Sequence, residues 1–280
     1  MNKVGILGGG FGLYGYMPSF IDLNYEVITL KKYKPFLDSR KELSKYIDKL
    51  IFVNDETNLL KHSTSLVIAR NPVGQEKIVN NLEKKYLHLY LEKPLASNNK
   101  NHGDLLTKLN KTNQQFSVFY LFSYLNWYVD LKKIINNDDN FDILINWNIA
   151  HNRNDNDTWK YKISEGGGLG RYYGVHFFDL VDNYSNFKIS IENNFNLFKV
   201  LLKKNEKKIQ LIIKFSEKNS FNVTNNKNII FSNDNPYINN ESPHIDPRIK
   251  YLKRYITNST TNMTAVEEKS LLWLKIIEQD

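Results

Sequence analysis

Two short stretches carry residues able to move protons. The first is Glu92-Lys93-Pro94, which closes the apolar run Tyr86–Leu91. A lysine is rarely placed at the carboxyl end of a buried strand for stability alone, so its amine is a candidate for use rather than packing. The proline restricts Lys93 to an extended backbone and ends the strand there. The second stretch runs through Trp159-Lys160 and Gly166-Gly167-Gly168 to Arg171, Tyr172, Tyr173, Gly174, His176 and Asp179. Tyr172, His176 and Asp179 fall at i, i+4 and i+7, the spacing of one helical face behind a glycine loop. Taken alone, that spacing suits a core helix with one satisfied histidine better than a site. An imidazole nevertheless titrates near neutrality without help, so His176 is the second proton-transfer candidate. Trp159 and Tyr173 can stack on a sugar or nucleotide ring, and Arg153, Lys160 and Arg171 can hold a carboxylate or phosphate. Each of these five has a plainer alternative as a core aromatic or a surface cation.

The elements that must position these groups begin at Lys3–Phe20, KVGILGGGFGLYGYMPSF, which reads as a strand, a glycine turn and the first turns of a helix. Gly8, Gly10 and Gly12, with Phe11 among them, let the backbone turn sharply and approach a pyrophosphate at a helix N-terminus. The fit to Gly-x-Gly-x-x-Gly is imperfect: the third glycine falls due at Leu13, while the chain offers Gly12 and Gly15. A second strand, Tyr25–Leu30, ends at Lys31 and Lys32, where a dinucleotide-binding unit usually places an acid on the ribose 2′-OH. Two ammonium groups there favour a 2′-phosphate, hence NADP(H) over NAD(H), with NAD(H) the alternative if both lysines merely lie in an exposed loop.

The β/α alternation continues with helices over Ser39–Ile47 and Glu56–His62 and strands at Leu50–Val53 and Ser65–Ala69. Asn71 and Pro72 follow at a strand's carboxyl end, the edge of an open sheet where ligands bind, so both are cofactor-binding candidates with Glu92 and Lys93. A helix from Gly74 to Lys84, the strand to Leu91, a helix Asn98–Thr112 and a strand Phe116–Phe122 complete a doubly wound parallel sheet. After a helix over Asn126–Ile135 the pattern changes to alternating strands at Phe141–Ala150, about Phe195–Leu202 and Ile209–Phe215, which suit a mostly antiparallel sheet with one covered face. The expected organisation is α/β followed by α+β: a Rossmann domain over 1–122, and a substrate-binding and dimerisation domain over 123–280 that ends in a helix Thr264–Ile277.

GILGGGFG, Asn-Pro after a strand and LEKPLA together resemble the glucose-fructose oxidoreductase, inositol dehydrogenase and MocA (Gfo/Idh/MocA) group of NAD(P)-dependent sugar dehydrogenases. The same family has a tryptophan, a glycine triplet and Asp-x-x-x-His on a helix facing the nicotinamide. This chain matches the Trp, the triplet and His176, and it carries Tyr172 where the family has Asp. The resemblance implies hydride transfer between a nicotinamide and a secondary alcohol or carbonyl of a sugar or nucleotide sugar, possible in glycan biosynthesis. It also implies a cis Lys93–Pro94 bond and a C₂ homodimer formed through the open face of the second sheet. Such chemistry needs one group for the hydroxyl proton, and Lys93 and His176 both qualify, with Tyr172 able to orient the imidazole or relay a proton.

The 280 residues contain no cysteine, which excludes disulfides, thiolate catalysis and thiolate-bound metal. The six histidines are dispersed with no ligand spacing, so no metal is expected. No apolar run approaches the ~20 residues that span a bilayer, and the first strand begins at once, so the expected protein is cytoplasmic and free of membrane. The net charge of +8 comes from scattered lysines rather than one stripe, so no nucleic-acid partner is expected. The alternative function is an NADP-binding sensor or structural protein without catalysis, motivated by the missing acid at Tyr172.

Overall fold

Apolar strands flanked by capped helices build the first half of the chain: β1 (Lys3–Leu7), α1 (Met17–Asp22), β2 (Glu26–Leu30), α2 (Lys34–Asp38), α3 (Ser44–Ile47), β3 (Leu50–Val53), α4 (Glu56–His62), β4 (Ser65–Ile68), α5 (Pro72–Asn80), β5 (Leu89–Leu91), α6 (Asn99–Lys111) and β6 (Phe116–Val118). The computed structural model describes residues 2–150, 158–237, 246–258 and 263–279. All six strands are parallel in the order β3-β2-β1-β4-β5-β6. The order reverses between β1 and β4, which is the crevice where doubly wound sheets take ligands. β4 and β5 are buried throughout, as strands covered on both faces must be. Asp55, Asn71 and Asn98 cap α4, α5 and α6 by accepting from the backbone N–H of Asn58, Gly74 and Asn101. Each such cap is worth ~1 kcal/mol.

The second unit contains α7 (Asn126–Asn137), β7 (Phe141–Ala150), β8 (Lys188–Asn193), β9 (Leu197–Lys204), β10 (Lys207–Ser216), β11 (Ser220–Asn225) and β12 (Asn228–Asn233). Its sheet runs β12-β11-β7-β10-β9-β8, antiparallel except for the β7/β10 pair. Alternate residues Phe141, Ile143, Ile145 and Ile149 of β7, with Phe198, Val200, Ile209, Leu211, Phe221 and Val223, are buried on one face. There Trp127 of α7 lies 4.9 Å from the Phe221 ring and donates its indole N–H to the Pro236 carbonyl at 2.7 Å. The opposite face is mixed and partly open, with Leu144 37% and Ile229 73% exposed.

The chain divides into Met1–Phe119 with Asn239–Ala265, and Tyr120–Ile238 with Val266–Asp280. The first unit therefore takes in α8 (Ile249–Thr257) as well as the chain up to Phe119. The reason is aromatic: Tyr255 packs 5.2 Å from Phe119 and donates its hydroxyl to Ser117 Oγ at 2.6 Å, and Lys253 pairs with Asp22 at 2.6 Å. α9 (Met263–Glu278) follows, and its Trp273 stacks on Tyr184 and donates to the Gly174 carbonyl at 2.8 Å within the second unit. Among the described residues, no helix is long and apolar enough to cross a membrane.

Candidate functional site

At the end of β1 the backbone turns through Gly8 at φ +149°, and a β-carbon there would lie 2.1 Å from the Ala69 carbonyl oxygen. Gly10 is different: a β-carbon built on it meets nothing within 4 Å, so this part of the turn faces open space. The third-glycine role is split. Gly12 lies closest to the strands, where its β-carbon would touch Ile6 and Ala69 at 3.1 Å, while Gly15 makes room for the Phe11 ring. A wide π turn over Gly12–Tyr16 leads directly into α1.

Lys31 and Lys32 open a 3-10 turn directly after β2, and both are exposed. The Lys32 ammonium is 3.6 Å from Glu56, whose carboxylate also takes the Arg70 guanidinium at 2.6 Å. One carboxylate is thus shared by two cations, with Lys31 a third positive charge nearby in sequence. Tyr33 lies against Gly9, at 3.0 Å from its would-be β-carbon.

The end of β5 is held by Gln75, a fully buried residue of α5 that sequence reasoning passed over. Its carboxamide grips Glu92 and Leu95 on both sides of Lys93 and Pro94, and the Lys93–Pro94 bond is cis. Asn71 and Pro72 have local tasks here: Asn71 caps α5 and Pro72 occupies its first turn. Burial pushes the Glu92 carboxyl up to about 7, opposed by Lys93, the Tyr16 hydroxyl and Arg248. Arg248 comes from the returning segment. Its guanidinium lies 4.1 Å from the centre of the Phe11 ring and forms a two-pronged pair with Asp246. Tyr16, Gln75 and Arg248 are therefore site neighbours without a sequence motif; only Tyr16, five residues past Phe11, lay near one.

In the second unit the expected helix over Tyr172–Asp179 is replaced by a π turn over Leu169–Tyr173 and a 3-10 turn over Gly174–Phe177. Gly170 and Gly174 bring this backbone close against the Phe198 ring, where a β-carbon at Gly174 would lie 2.7 Å from it. His176 is 6% exposed and stacks on Phe122 with centroids 4.4 Å apart. Asp179 turns to Tyr128 and Lys132, from which it accepts at 2.7 and 2.8 Å. Gly167 packs directly on the Trp159–Lys160 backbone, where a β-carbon would meet the Trp159 carbonyl at 2.2 Å. That contact sets Trp159 edge-on to Tyr172 at 5.1 Å, with the Lys160 ammonium 5.5 Å from the same ring. Tyr173 continues the row, edge-on to both Tyr172 and Trp147. Arg171 is buried, and its guanidinium donates to the Glu278 carboxylate through bonds of 2.7 and 2.6 Å. Arg153 lies outside the described residues.

No model of a known protein family matches the sequence, and no curated protein matches it. Solved structures do share the fold. WlbA (WbpB) dehydrogenase from Thermus thermophilus, in complex with NAD and UDP-GlcNAcA, superposes at a TM-score of 0.73 with 10% identity, over 99% of this chain and 94% of that one. KijD10, a 3-ketoreductase from Actinomadura kijaniata in complex with NADP and TDP-benzene, gives 0.69 with 10% identity over 99% and 97%. A Gfo/Idh/MocA family oxidoreductase from Vibrio cholerae gives 0.68 with 11% identity over 100% and 98%. The chain thus has the fold of the Gfo/Idh/MocA oxidoreductases, a Rossmann sheet with a second, mostly antiparallel sheet.

Proposed function

We propose that the protein is an NAD(P)-dependent oxidoreductase acting on a secondary alcohol or carbonyl of a sugar or nucleotide sugar. The observation that carries this reading is the glycine turn at the β1/β4 switch point, where Gly10 leaves open the space that a dinucleotide's pyrophosphate requires. Gly8, Gly10, Phe11 and Gly12 would hold the pyrophosphate. Lys31 and Lys32 would receive a 2′-phosphate, since an exposed cationic turn after β2 suits NADP(H) better than NAD(H).

When bound, the nicotinamide accepts or supplies a hydride. Lys93, fixed at the end of β5 by the Gln75 clamp, binds the reacting oxygen and holds or takes its proton. His176 is the second unit's proton-handling group, with Tyr172 nearby in sequence to orient it. Trp159, Lys160 and Tyr173 supply an aromatic and cationic wall suited to a sugar ring bearing a phosphate or carboxylate. The nucleotide sugars bound by WlbA and the 3-keto activity named for KijD10 support that substrate class. A role in glycan biosynthesis and a C₂ dimer through the open face bearing Leu144 and Ile229 complete the reading. Titrating NADPH and NADH into the protein, then screening UDP- and TDP-linked alcohols and ketones for cofactor turnover, tests it. NADPH binding with turnover supports an enzyme, binding without turnover supports the sensor alternative, and no binding removes both.

A further inference from the structure

We infer that Arg70 and Glu56 set how tightly the protein takes a 2′-phosphate: Arg70 is a third phosphate-binding cation beside Lys31 and Lys32, and the Glu56 carboxylate is the counter-charge that the phosphate must displace. The inference rests on the dinucleotide reading above. Arg70 follows the end of β4, and Glu56 opens α4 after β3. Those two strands stand on either side of β1 and β2 in the sheet, so the 2.6 Å ion pair between the two side chains reaches across the carboxyl ends of β1 and β2. The glycine turn and the Lys31–Tyr33 turn leave from these same two ends, and they touch: the Tyr33 ring is 3.0 Å from a β-carbon built on Gly9. An acid that the end of β2 lacks is thus supplied from the start of α4, where its charge opposes a 2′-phosphate.

The contacts show a carboxylate in competition for its cations. Glu56 Oε1 accepts from Arg70 Nη2 at 2.6 Å and lies 3.6 Å from the Lys32 ammonium, so one oxygen faces two positive groups. Asp55, the other acid at the start of α4, is turned to Asn58 through two bonds of 2.8 Å. With Lys31 exposed beside Lys32, positive charge exceeds negative here. The Arg70 fork is only half used: its Nε–H is buried and has no hydrogen-bond partner among the described residues. A guanidinium with a stranded donor is poorly served by one carboxylate oxygen, whereas a phosphate can take two of its donors at once. The Arg70 and Glu56 side chains are 31% and 42% exposed, so the pair is open to exchange and contributes little to folding.

Calorimetric titration of NADPH and NADH, which differ only in the 2′-phosphate, tests this with no substrate present. Glu56→Gln keeps the shape and removes the charge, and it should tighten NADPH binding ~10-fold while moving NADH less than ~3-fold. Arg70→Gln should weaken NADPH binding ~10-fold or more at the same NADH affinity, and Arg70→Lys should recover part of the loss. Weaker NADPH binding in Glu56→Gln would make the carboxylate a support for the cations, and an equal loss of both cofactors in Arg70→Gln would make the arginine a support for the loop; either result overturns the inference. A wild type that binds both cofactors, with a ratio that Glu56→Gln and Arg70→Gln leave in place, overturns it while the dinucleotide reading stands. Binding of neither cofactor removes both.

Discussion

The Gln75 side chain exchanges two hydrogen bonds with the Glu92 backbone: its Oε1 accepts from the Glu92 N–H at 2.9 Å, and its Nε2 donates to the Glu92 carbonyl at 3.0 Å. A third bond, from Nε2 to the Leu95 carbonyl at 2.9 Å, closes the loop around Lys93. A buried carboxamide therefore does for this strand end what a neighbouring strand would otherwise do, and it leaves the lysine between two anchored residues.

Gln75→Leu keeps a similar volume but strands the part-buried N–H and carbonyl of Glu92 and the buried carbonyl of Leu95. The expected loss is ~2–4 kcal/mol of folding free energy, read from the urea midpoint. If the folded fraction is recovered at low temperature, kcat should fall more than NADPH affinity does. An unchanged midpoint would contradict the clamp.

Lys31→Asp combined with Lys32→Ser should reverse the cofactor preference. If these lysines hold the 2′-phosphate, fluorescence titration should show NADPH affinity dropping ~10-fold or more against NADH. Equal effects on both cofactors would mean that the lysines face elsewhere.

His88 provides a pH signature in the first unit. Burial lowers it to about 4, and its Nε2 shares a 2.7 Å hydrogen bond with Ser117 Oγ, which also accepts from Tyr255. Because the folded value lies below the unfolded ~6.5, the stabilisation is complete above pH 6.5 and is lost as the pH falls toward 4. Over that interval the wild type should lose ~1–2 kcal/mol more than His88→Gln, after discounting for partial exposure, in paired denaturant melts. Parallel pH curves for the two proteins would contradict the assignment.

Legibility in the sequence followed the range of the interactions. The glycine turn and β7 could be read because their signals lie within a few residues, and β7 occupies the expected Phe141–Ala150 run. The β11/β12 hairpin was missed: its turn uses Asn226 and Lys227 at positive φ, with no glycine to mark it. α8 was missed as a piece of the first unit because its anchors, Ser117 and Phe119, lie more than a hundred residues upstream. The alignment of Tyr172 and His176 was read from helical periodicity, which presumes a regular turn, whereas the chain there runs through a π turn and then a 3-10 turn. Gln75 and Arg248 carry no local pattern, since each matters only through chain segments brought to it by folding.

Hydride chemistry supported by Lys93 is measured most directly as the loss of reduced-nicotinamide absorbance when NADPH-loaded protein meets a panel of keto-sugar nucleotides. Wild type should consume NADPH with at least one member, and Lys93→Ala should bind NADPH normally while losing ~10²- to 10⁴-fold in rate. A Lys93→Ala protein that turns over at the wild-type rate, or a wild type that binds no NADPH, would contradict the account.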